Sequence, residues 1–397
     1  MGNGIRSVST MERRARLATR HHLAPWARAE TVSEAAAGLI ALHGTDPASV
    51  YLAAWARTQT VDHAGIGHAL YAERSLVRML GMRRTMFVTP VELAPVIQAA
   101  CTDQIAERLR RDLVGVIQQA GIDLDAVGWL DEVGKATIRA LIARDGAGAT
   151  GAELAAAEPR LRTQVIVDEG KSYGGSFNLT SRILMLLSAE GQIVRGWPRG
   201  GWTSSQYEWF AAEAWLPARS AIAPVAARAE LARRWLRTFG PAPATDLQWW
   251  TGWTIGQMKA ALSQLRTTEV DLDGTTGLLL TDDDEYPTVD REPWAALLPA
   301  LDPTAMGWRE RNWYLGEHAP ALFDRSGNIG PTIWWNGRIV GGWAQRQDGD
   351  IVIRLLEDIG TDAAAAVAAE AGRLREWIGP ARITPRFRTP LERELSG

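Results

Sequence analysis

The stretch SLVRMLGMRRTMFVTP, residues 75–90, determines how the amino-terminal part of this chain is interpreted. Its two apolar runs flank a polar turn at Arg83 and Arg84, which is the pattern of a β-hairpin. Apolar residues recur at helical spacing in the segments before it, which cover residues 33–44, 46–57 and 61–72. Three helices followed by a two-stranded wing predict a winged-helix unit, a relative of the helix-turn-helix.

This order of elements returns twice along the chain. In the second copy, helical segments precede a hairpin over residues 131–146, 150–161, 178–191, 192–197 and 202–209. In the third copy, the corresponding segments are residues 230–242, 246–252, 255–265, 268–274 and 276–282. Because no fixed period links the copies, the pattern indicates tandem duplication of a domain and not a solenoid.

Residue types at the ends of these segments predict where the helices begin and end. Ser33, Thr245 and Thr254 are expected N-caps, since a hydroxyl oxygen there accepts a hydrogen bond from a free backbone N–H group. Gly146 is expected to end the first helix of the second copy. The apolar segment 33–44 is predicted as one helix throughout.

The carboxy-terminal region differs because Val, Ile and Trp are frequent in it. Asn336-Gly337 between two apolar runs is a strong signal for a two-residue hairpin. We expect a small β-barrel or curled sheet here, closed by a helix over residues 363–379. The predicted fold class is α+β, with three tandem winged-helix domains and then a small C-terminal β-barrel; the expected boundaries are 8–115, 116–215, 216–292 and 293–397.

Composition limits the classes of function. The chain has 397 residues, a net charge of −3 and 43 basic residues, of which all but Lys135, Lys171 and Lys259 are arginines. Arginine suits phosphate because its planar guanidinium donates two parallel hydrogen bonds. A single cysteine, Cys101, excludes an intrachain disulfide and a cysteine-based zinc site. No apolar run of about 18 residues is present, so a membrane span is not expected.

Three winged helices in one chain predict a concave, arginine-lined surface that holds one duplex through its backbone, without reading its sequence. The expected partner is therefore double-stranded DNA. We expect a monomer in the cytoplasm, associated with the nucleoid, that uses no metal and no cofactor.

Several stretches of the chain match motifs of one known family. The segment WLRTFGPAPATDLQWWTGW, rich in aromatic residues, and the carboxy-terminal segments LLPALDPTAMGWRER and PTIWWNGRIVGGW resemble segments of the AlkZ/YcaQ-type winged-helix DNA glycosylases. Near the start, LGMRRTMFV is similar to the family's "RGTLH" segment, and LHGTDPASVYLAAWAR occupies the place of its "QAQDP" stretch. The resemblance runs piecewise through most of the chain and is more specific for fold than for activity.

The resemblance implies a chemistry. Family members hydrolyse the N-glycosidic bond of alkylated purines, and some unhook interstrand crosslinks. A purine alkylated at N7 is cationic and leaves without a general acid, so the protein has to position a water at C1′. Paired Gln or Gln/Asp side chains do this in the family. The matching positions here are His43 and Thr45, followed by Asp46 of the shared Asp-Pro pair, and the resemblance therefore makes these three the candidate catalytic residues.

Structural roles remain open for the same three residues. Asp46 before Pro47 has the form of an N-cap followed by a favoured first helical residue. His43 is also suited to closing a helix at its carboxyl end, and Thr45 is a poor base. Because His and Thr replace the family's pair, a non-catalytic DNA-binding protein or a winged-helix regulator is the alternative function.

Candidate DNA contacts are arginines on the wings and helices and one carboxy-terminal hairpin. Wing arginines can simply be solvated, and hairpin tryptophans can belong to the core. In the family, a hairpin of the barrel probes the minor groove, and inserted side chains of this kind are typical of minor-groove binding. The candidates are Arg83, Arg84, Arg182, Arg195, Arg199, Trp335, Asn336 and Arg338.

Overall fold

A computed structural model of the chain describes residues 5–167, 175–217, 221–283 and 292–397. The fold mixes helices with small antiparallel sheets. Within these ranges, helices long and apolar enough to cross a bilayer do not occur. Short 3₁₀ or π-helical turns are found at Pro25–Ala27, His68–Ala72, Met82–Arg84, Gln98–Thr102 and Pro159–Arg162.

The first unit contains the predicted hairpin. Its elements are β1 (Arg6–Ser7), α1 (Thr10–Arg20), α2 (Val32–Gly38), β2 (Leu42–His43), α3 (Pro47–Trp55), α4 (His63–Gly67), β3 (Leu76–Gly81), β4 (Thr85–Pro90), α5 (Ala94–Ile97) and α6 (Asp103–Gln119). Strands β3 and β4 pair antiparallel, with Gly81 opposite Thr85, as the sequence predicts.

Two features of this unit correct the prediction. Thr31, not Ser33, caps α2, because its side chain accepts from the Glu34 N–H group, whereas the Ser33 hydroxyl donates to Ser75. The segment 33–44 is not one helix either, since Leu42 and His43 form β2 against β4. A short buried apolar run suits helix and strand equally, so the sheet edge offered by β4 decides its conformation.

The second unit contains the predicted helices and hairpin, but an antiparallel pair of strands that the sequence did not predict lies between its second and third helices. Its elements are α7 (Ala126–Ile142), α8 (Gly151–Ala157), β5 (Gln164–Val167), β6 (Gly175–Asn178), α9 (Thr180–Ala189), β7 (Ile193–Pro198), β8 (Tyr207–Ala211) and α10 (Ala212–Trp215). Strands β7 and β8 form the expected hairpin. α7 ends at Ile142, and Gly146 takes a left-handed conformation (φ 82°) in the turns that follow it.

The third unit has helices α11 (Pro224–Phe239), α12 (Ala244–Thr251) and α13 (Ile255–Leu262), then strands β9 (Thr267–Leu272) and β10 (Thr275–Leu280). Thr254 caps α13 as predicted. Thr245 does not cap α12, since that helix begins at Ala244 after the extended residue Pro243. The β9–β10 hairpin forms as predicted, and β1 from the start of the chain joins it in parallel.

The carboxy-terminal region corrects the barrel prediction. It contains β11 (Ala295–Leu298), α14 (Pro303–Met306), α15 (Asn312–Leu315), α16 (Ala319–Leu322), β12 (Thr332–Trp335), β13 (Arg338–Gln345), β14 (Ile351–Leu355), α17 (Thr361–Ile378) and α18 (Pro390–Ser396). The sheet order is β11-β12-β13-β14, and its outer strands do not pair with each other, so the described sheet is open. Four short strands are too few to close a barrel around a packed interior; instead α17 packs against β11 and β14.

One buried apolar core links the first and third units to the carboxy-terminal region, whereas the second unit packs mainly around a core of its own. Trp235, Trp308 and Trp334 are among the largest fully buried side chains of the shared core. Ten of the 18 tryptophans, all of which lie in the described ranges, are buried, so most of them are structural.

Buried ion pairs join the same parts of the chain. Arg57 contacts both carboxylate oxygens of Asp302 at 2.7 and 2.9 Å, and both side chains are fully buried. Arg16 and Arg20 pair with buried Asp283. These contacts use amino-terminal arginines inside the protein, where they cannot contact DNA.

Candidate catalytic and DNA-contacting site

His43 lies on β2, immediately before α3. Its ring packs edge-on against Phe87, with the ring centroids 5.6 Å apart. Burial and the nearby positive charge of Arg83 lower the pKa of His43 to about 3. The imidazole is therefore neutral near pH 7 and retains a nitrogen lone pair. Because it is in a strand, His43 does not close a helix.

Thr45 lies between this strand and the helix. Its backbone N–H group faces the Nδ1 atom of His43 at 3.5 Å, the outer limit of a hydrogen bond. The Thr45 hydroxyl forms no hydrogen bond within the described ranges of the chain. The two side chains that match the family's pair are thus half-buried neighbours with polar atoms free to bind a small molecule.

Gly44 between them is held from two sides. Its N–H group donates to the Met86 carbonyl at 2.7 Å, and its carbonyl accepts from the Arg78 guanidinium. A Cβ atom at this position would lie 3.0 Å from Arg78 Nη1 and 3.2 Å from the Phe87 carbonyl carbon. Because these atoms approach so closely, Gly44 leaves little room for a larger side chain between His43 and Thr45.

The Asp46 carboxylate forms hydrogen bonds with two backbone N–H groups. One carboxylate oxygen accepts from the Ala48 N–H group at 3.1 Å and caps α3, while the other accepts from the Arg386 N–H group at 3.2 Å. The side chain is 6% exposed, and burial raises the pKa of its carboxyl group. The N-cap prediction is confirmed, and the same carboxylate fastens the carboxy-terminal segment to the site.

Three arginines, here called the cationic cluster, lie beside residues 43–46: Arg78, Arg195 and Arg386. Arg78 on β3 is 4% exposed, and its Nε and Nη2 atoms lack partners in the described parts of the chain. Its guanidinium carbon lies 4.9 Å from the centroid of the Tyr207 ring. On β7, Arg195 lies 5.8 Å from the same centroid and 5.0 Å from that of Trp209.

Aromatic side chains border the cluster. Trp197, which is 44% exposed, packs on Tyr71 with ring centroids 4.9 Å apart. Trp202 packs on Tyr51 at 5.3 Å and stacks on His63 at 4.6 Å. Burial raises the pKa of both Tyr51 and Tyr71, so the two hydroxyls stay protonated and remain hydrogen-bond donors near neutral pH.

Two arginines lie at the tip of the β3–β4 hairpin. Arg83 and Arg84 have φ values of 52° and 58°, a left-handed conformation that is uncommon for residues other than glycine. The Arg83 guanidinium carbon lies 4.0 Å from the centroid of the Trp249 ring on α12, and burial with nearby Arg311 lowers its pKa. Arg84 is exposed and lines a groove with Arg182 of α9.

The candidates of the second unit differ in their partners. Arg182 is exposed and stacks over Phe177, with 3.7 Å between its guanidinium carbon and the ring centroid. Arg199 forms ion pairs with Glu153 at 3.2 Å and Glu208 at 3.0 Å, which raise its pKa. Its charge is therefore largely neutralised within the protein.

The carboxy-terminal hairpin turn lies against α1. Asn336 and Gly337 have φ values of 47° and 80°, and a Cβ atom on Gly337 would lie 2.6 Å from the Cβ atom of Arg14. The Asn336 side chain accepts from the Trp294 N–H group, and Arg338 pairs with Glu357 at 2.5 Å. Trp335 is half-buried on β12. These contacts hold the turn inside the fold.

Sequence reasoning missed Arg78, Tyr51, Tyr71 and Arg386. The signal for Arg78 was present, since a single arginine inside an apolar strand is costly unless it has a role. Tyr51 and Tyr71 lie in apolar segments that the sequence predicts as helices, where an aromatic residue gives no signal of a polar role. No group of His, Cys, Asp and Glu side chains in the described ranges has the arrangement of a metal site.

Comparison with known proteins adds independent information. A family model described as "DNA glycosylase AlkZ-like" matches residues 36–377 of the chain. Among solved structures, the chain is similar to the Streptomyces sahachiroi DNA glycosylase AlkZ, with 20% sequence identity and a TM-score of 0.69. The match covers 92% of this chain and 97% of that one, and at this identity it shows a shared fold. No functionally curated protein matches the sequence.

Proposed function

Since the chain belongs to the AlkZ-like DNA glycosylase family, we propose that it is a monofunctional DNA repair glycosylase that hydrolyses the N-glycosidic bond of N7-alkylated or crosslinked purines. The observation that carries the proposal is the neutral imidazole of His43 beside the hydroxyl of Thr45, which has no partner among the described residues, just before α3. These two groups are suited to holding a water molecule near C1′ of the sugar.

Hydrolysis of the N-glycosidic bond of a cationic purine does not require a strong general base. A cationic purine departs easily, so the sugar acquires positive charge before the water gives up its proton. A weakly basic imidazole is then sufficient to orient the water, and the Thr45 hydroxyl offers it a second hydrogen bond. Asp46 acts indirectly in this scheme, because both of its carboxylate oxygens are used by backbone N–H groups.

The proposed DNA surface is formed by residues 8–115, 116–215 and 216–292 as three tandem winged helices, which together hold one duplex. Arg83 and Arg84 at the first wing, with Arg182 and Arg195 of the second unit, supply its positive charge. Arg199, Trp335, Asn336 and Arg338 have partners within the protein, and we assign them lesser roles. Binding through the phosphate backbone is consistent with a monomer located at the nucleoid.

A base-release assay tests the activity. A duplex with one N7-methylguanine is incubated with the protein, and the free base and the alkali-labile abasic site are measured. We expect release by the wild type, and about 100-fold slower release by His43→Ala with unchanged duplex binding. A second duplex, with a crosslink between guanine N7 atoms, tests whether crosslinks are substrates.

The alternative is a DNA-binding protein without catalysis, which the replacement of the family's Gln pair by His and Thr favours. It predicts tight binding of the same duplexes without release of either base. Equal release rates for the wild type and His43→Ala would instead mean that the water is positioned by other groups.

A further inference from the structure

The cationic cluster beside His43 is larger than the proposed chemistry requires. Arg78, Arg195 and Arg386 come from β3, β7 and the segment after α17, and their charges act on one another or on the same carboxylate, Asp46. Three arginines therefore converge where Asp46 is the acid that the described residues contribute, and both oxygens of that acid already accept backbone hydrogen bonds.

Salt bridges of these three arginines are not found among the described residues, and Asp46 acts on Arg78 and Arg386 only from a distance. Within the described parts of the chain, the guanidinium groups of Arg195 and Arg386 form neither an ion pair nor a hydrogen bond. The Nε atom of Arg195 and the hydroxyl of Tyr207 are buried without partners, as are two nitrogens of Arg78. Burial and the charges of Arg78 and Arg386 lower the pKa of Arg195 to about 10. Unpaired buried donors of this kind are costly and call for a bound acceptor.

The proposed reaction strengthens the case for an anion. Positive charge develops on the sugar as the base leaves, and uncompensated arginines nearby would oppose it. An anion bound between the arginines removes that opposition, and its own negative charge would favour the cationic sugar.

We propose that Arg195 and Arg386, backed by the charge of Arg78, form a binding site for one DNA backbone phosphate next to the nucleotide that is cleaved. The inference rests on the proposed function for the identity of the DNA. Tyr207 lies under both Arg78 and Arg195 and offers its hydroxyl as an additional donor. The Arg78 contact to the Gly44 carbonyl connects this phosphate site with His43 and Thr45.

Phosphate neutralisation tests the site. Each phosphate near the lesion is replaced in turn by an uncharged methylphosphonate, and binding is measured by fluorescence anisotropy. The lesion nucleotide carries a 2′-fluorine, which blocks base release. For the wild type we expect one position at which neutralisation weakens binding about tenfold or more, the effect of losing a hydrogen bond to a charged group.

The variants decide whether these arginines are responsible. In Arg195→Gln and in Arg386→Gln, which changes an exposed side chain, the same neutralisation should weaken binding only about threefold or less, since one of the two partners of the phosphate is already lost. Arg354→Gln, which removes an exposed pair on β14, is the control and should keep the full wild-type response. Equal responses in the wild type and both variants, or no position-specific loss in the wild type, would overturn the proposal.

This readout is independent of catalysis. Position-specific loss without base release from the unfluorinated duplex would refute the glycosylase proposal and leave the phosphate site standing. Base release without a position-specific loss of binding would refute the phosphate site and leave the glycosylase proposal standing.

Discussion

Removing the Asp46 carboxylate separates a structural role from a chemical one. In Asp46→Ala, α3 loses its N-cap, which costs about 1 kcal/mol. The bond from the Arg386 N–H group is lost as well, and a hydrogen bond to a charged acceptor contributes about 1.5–3 kcal/mol. Burial of the carboxylate, which raises its pKa, offsets part of this. The expected loss of stability is about 2–4 kcal/mol.

The assay combines thermal unfolding with base release from the N7-methylguanine duplex. A loss of this size lowers the Tm by roughly 4–16 °C for a folding unit of about 150–250 residues. At 20 °C, where the variant remains folded, we expect its release rate to stay within about threefold of wild type, because the proposed water contacts of His43 and Thr45 do not involve the Asp46 side chain.

A matched variant makes the result decisive. Serine is also a good N-cap, so Asp46→Ser keeps the cap of α3 without a carboxylate. Its Tm should lie between those of the wild type and Asp46→Ala, with a near wild-type rate. If Asp46→Ser unfolds like the wild type but releases base 100-fold more slowly, the carboxylate does chemistry and the assignment of Asp46 to capping is wrong.

Four other perturbations follow from the structure. The rate of base release should show no inflection near pH 6.5 from His43, because the folded pKa of about 3 keeps its ring neutral over that range; an inflection abolished by His43→Gln would contradict this. Arg84→Gln should reduce the slope of log K against log salt by about one, the effect of one lost phosphate contact, and an unchanged slope would exclude Arg84 from the interface. Asp302→Asn leaves Arg57 buried without its counter-charge, so denaturant titration should reveal a loss of about 3–5 kcal/mol, and a loss below about 1 kcal/mol would rule out the buried pair. Gly337→Ala places a Cβ atom against Arg14 in a left-handed conformation, so overpacking should cost about 1–3 kcal/mol, with a lower Tm; an unchanged Tm would mean that the turn is free of α1.

Local patterns in the sequence correctly predict several hairpins, a turn and a helix cap. The hairpins at β3–β4, β7–β8 and β9–β10 follow from alternating apolar runs and turn residues, and so does the Asn336-Gly337 turn. These features depend on neighbouring residues, and short-range chemistry determines them. The Asp46 cap belongs to the same class, since an Asp-Pro pair is nearly sufficient to begin a helix.

Features that depend on distant partners could not be predicted. Whether residues 42–43 are helix or strand depends on β4, since Leu42 pairs with Val88 and His43 pairs with Phe87. The predicted barrel is an open sheet because α17 covers its outer strands, and the sequence does not specify that placement. The cationic cluster combines arginines from three regions, so no single stretch indicates it.

The contacts between the two ends of the chain have a consequence for biosynthesis. Arg57 cannot form its ion pair until Asp302, 245 residues further along the chain, has been synthesised. Arg28 likewise requires Glu370, which is 342 residues further along. At about 5–20 residues per second, the ribosome needs roughly 12–50 s to add 245 residues. During this interval, the first unit has its apolar faces exposed, while the second unit already has the sequence for its own core. In nascent chains the second unit should therefore fold before the first unit does. Chaperone binding should concentrate on residues 8–115 until synthesis ends.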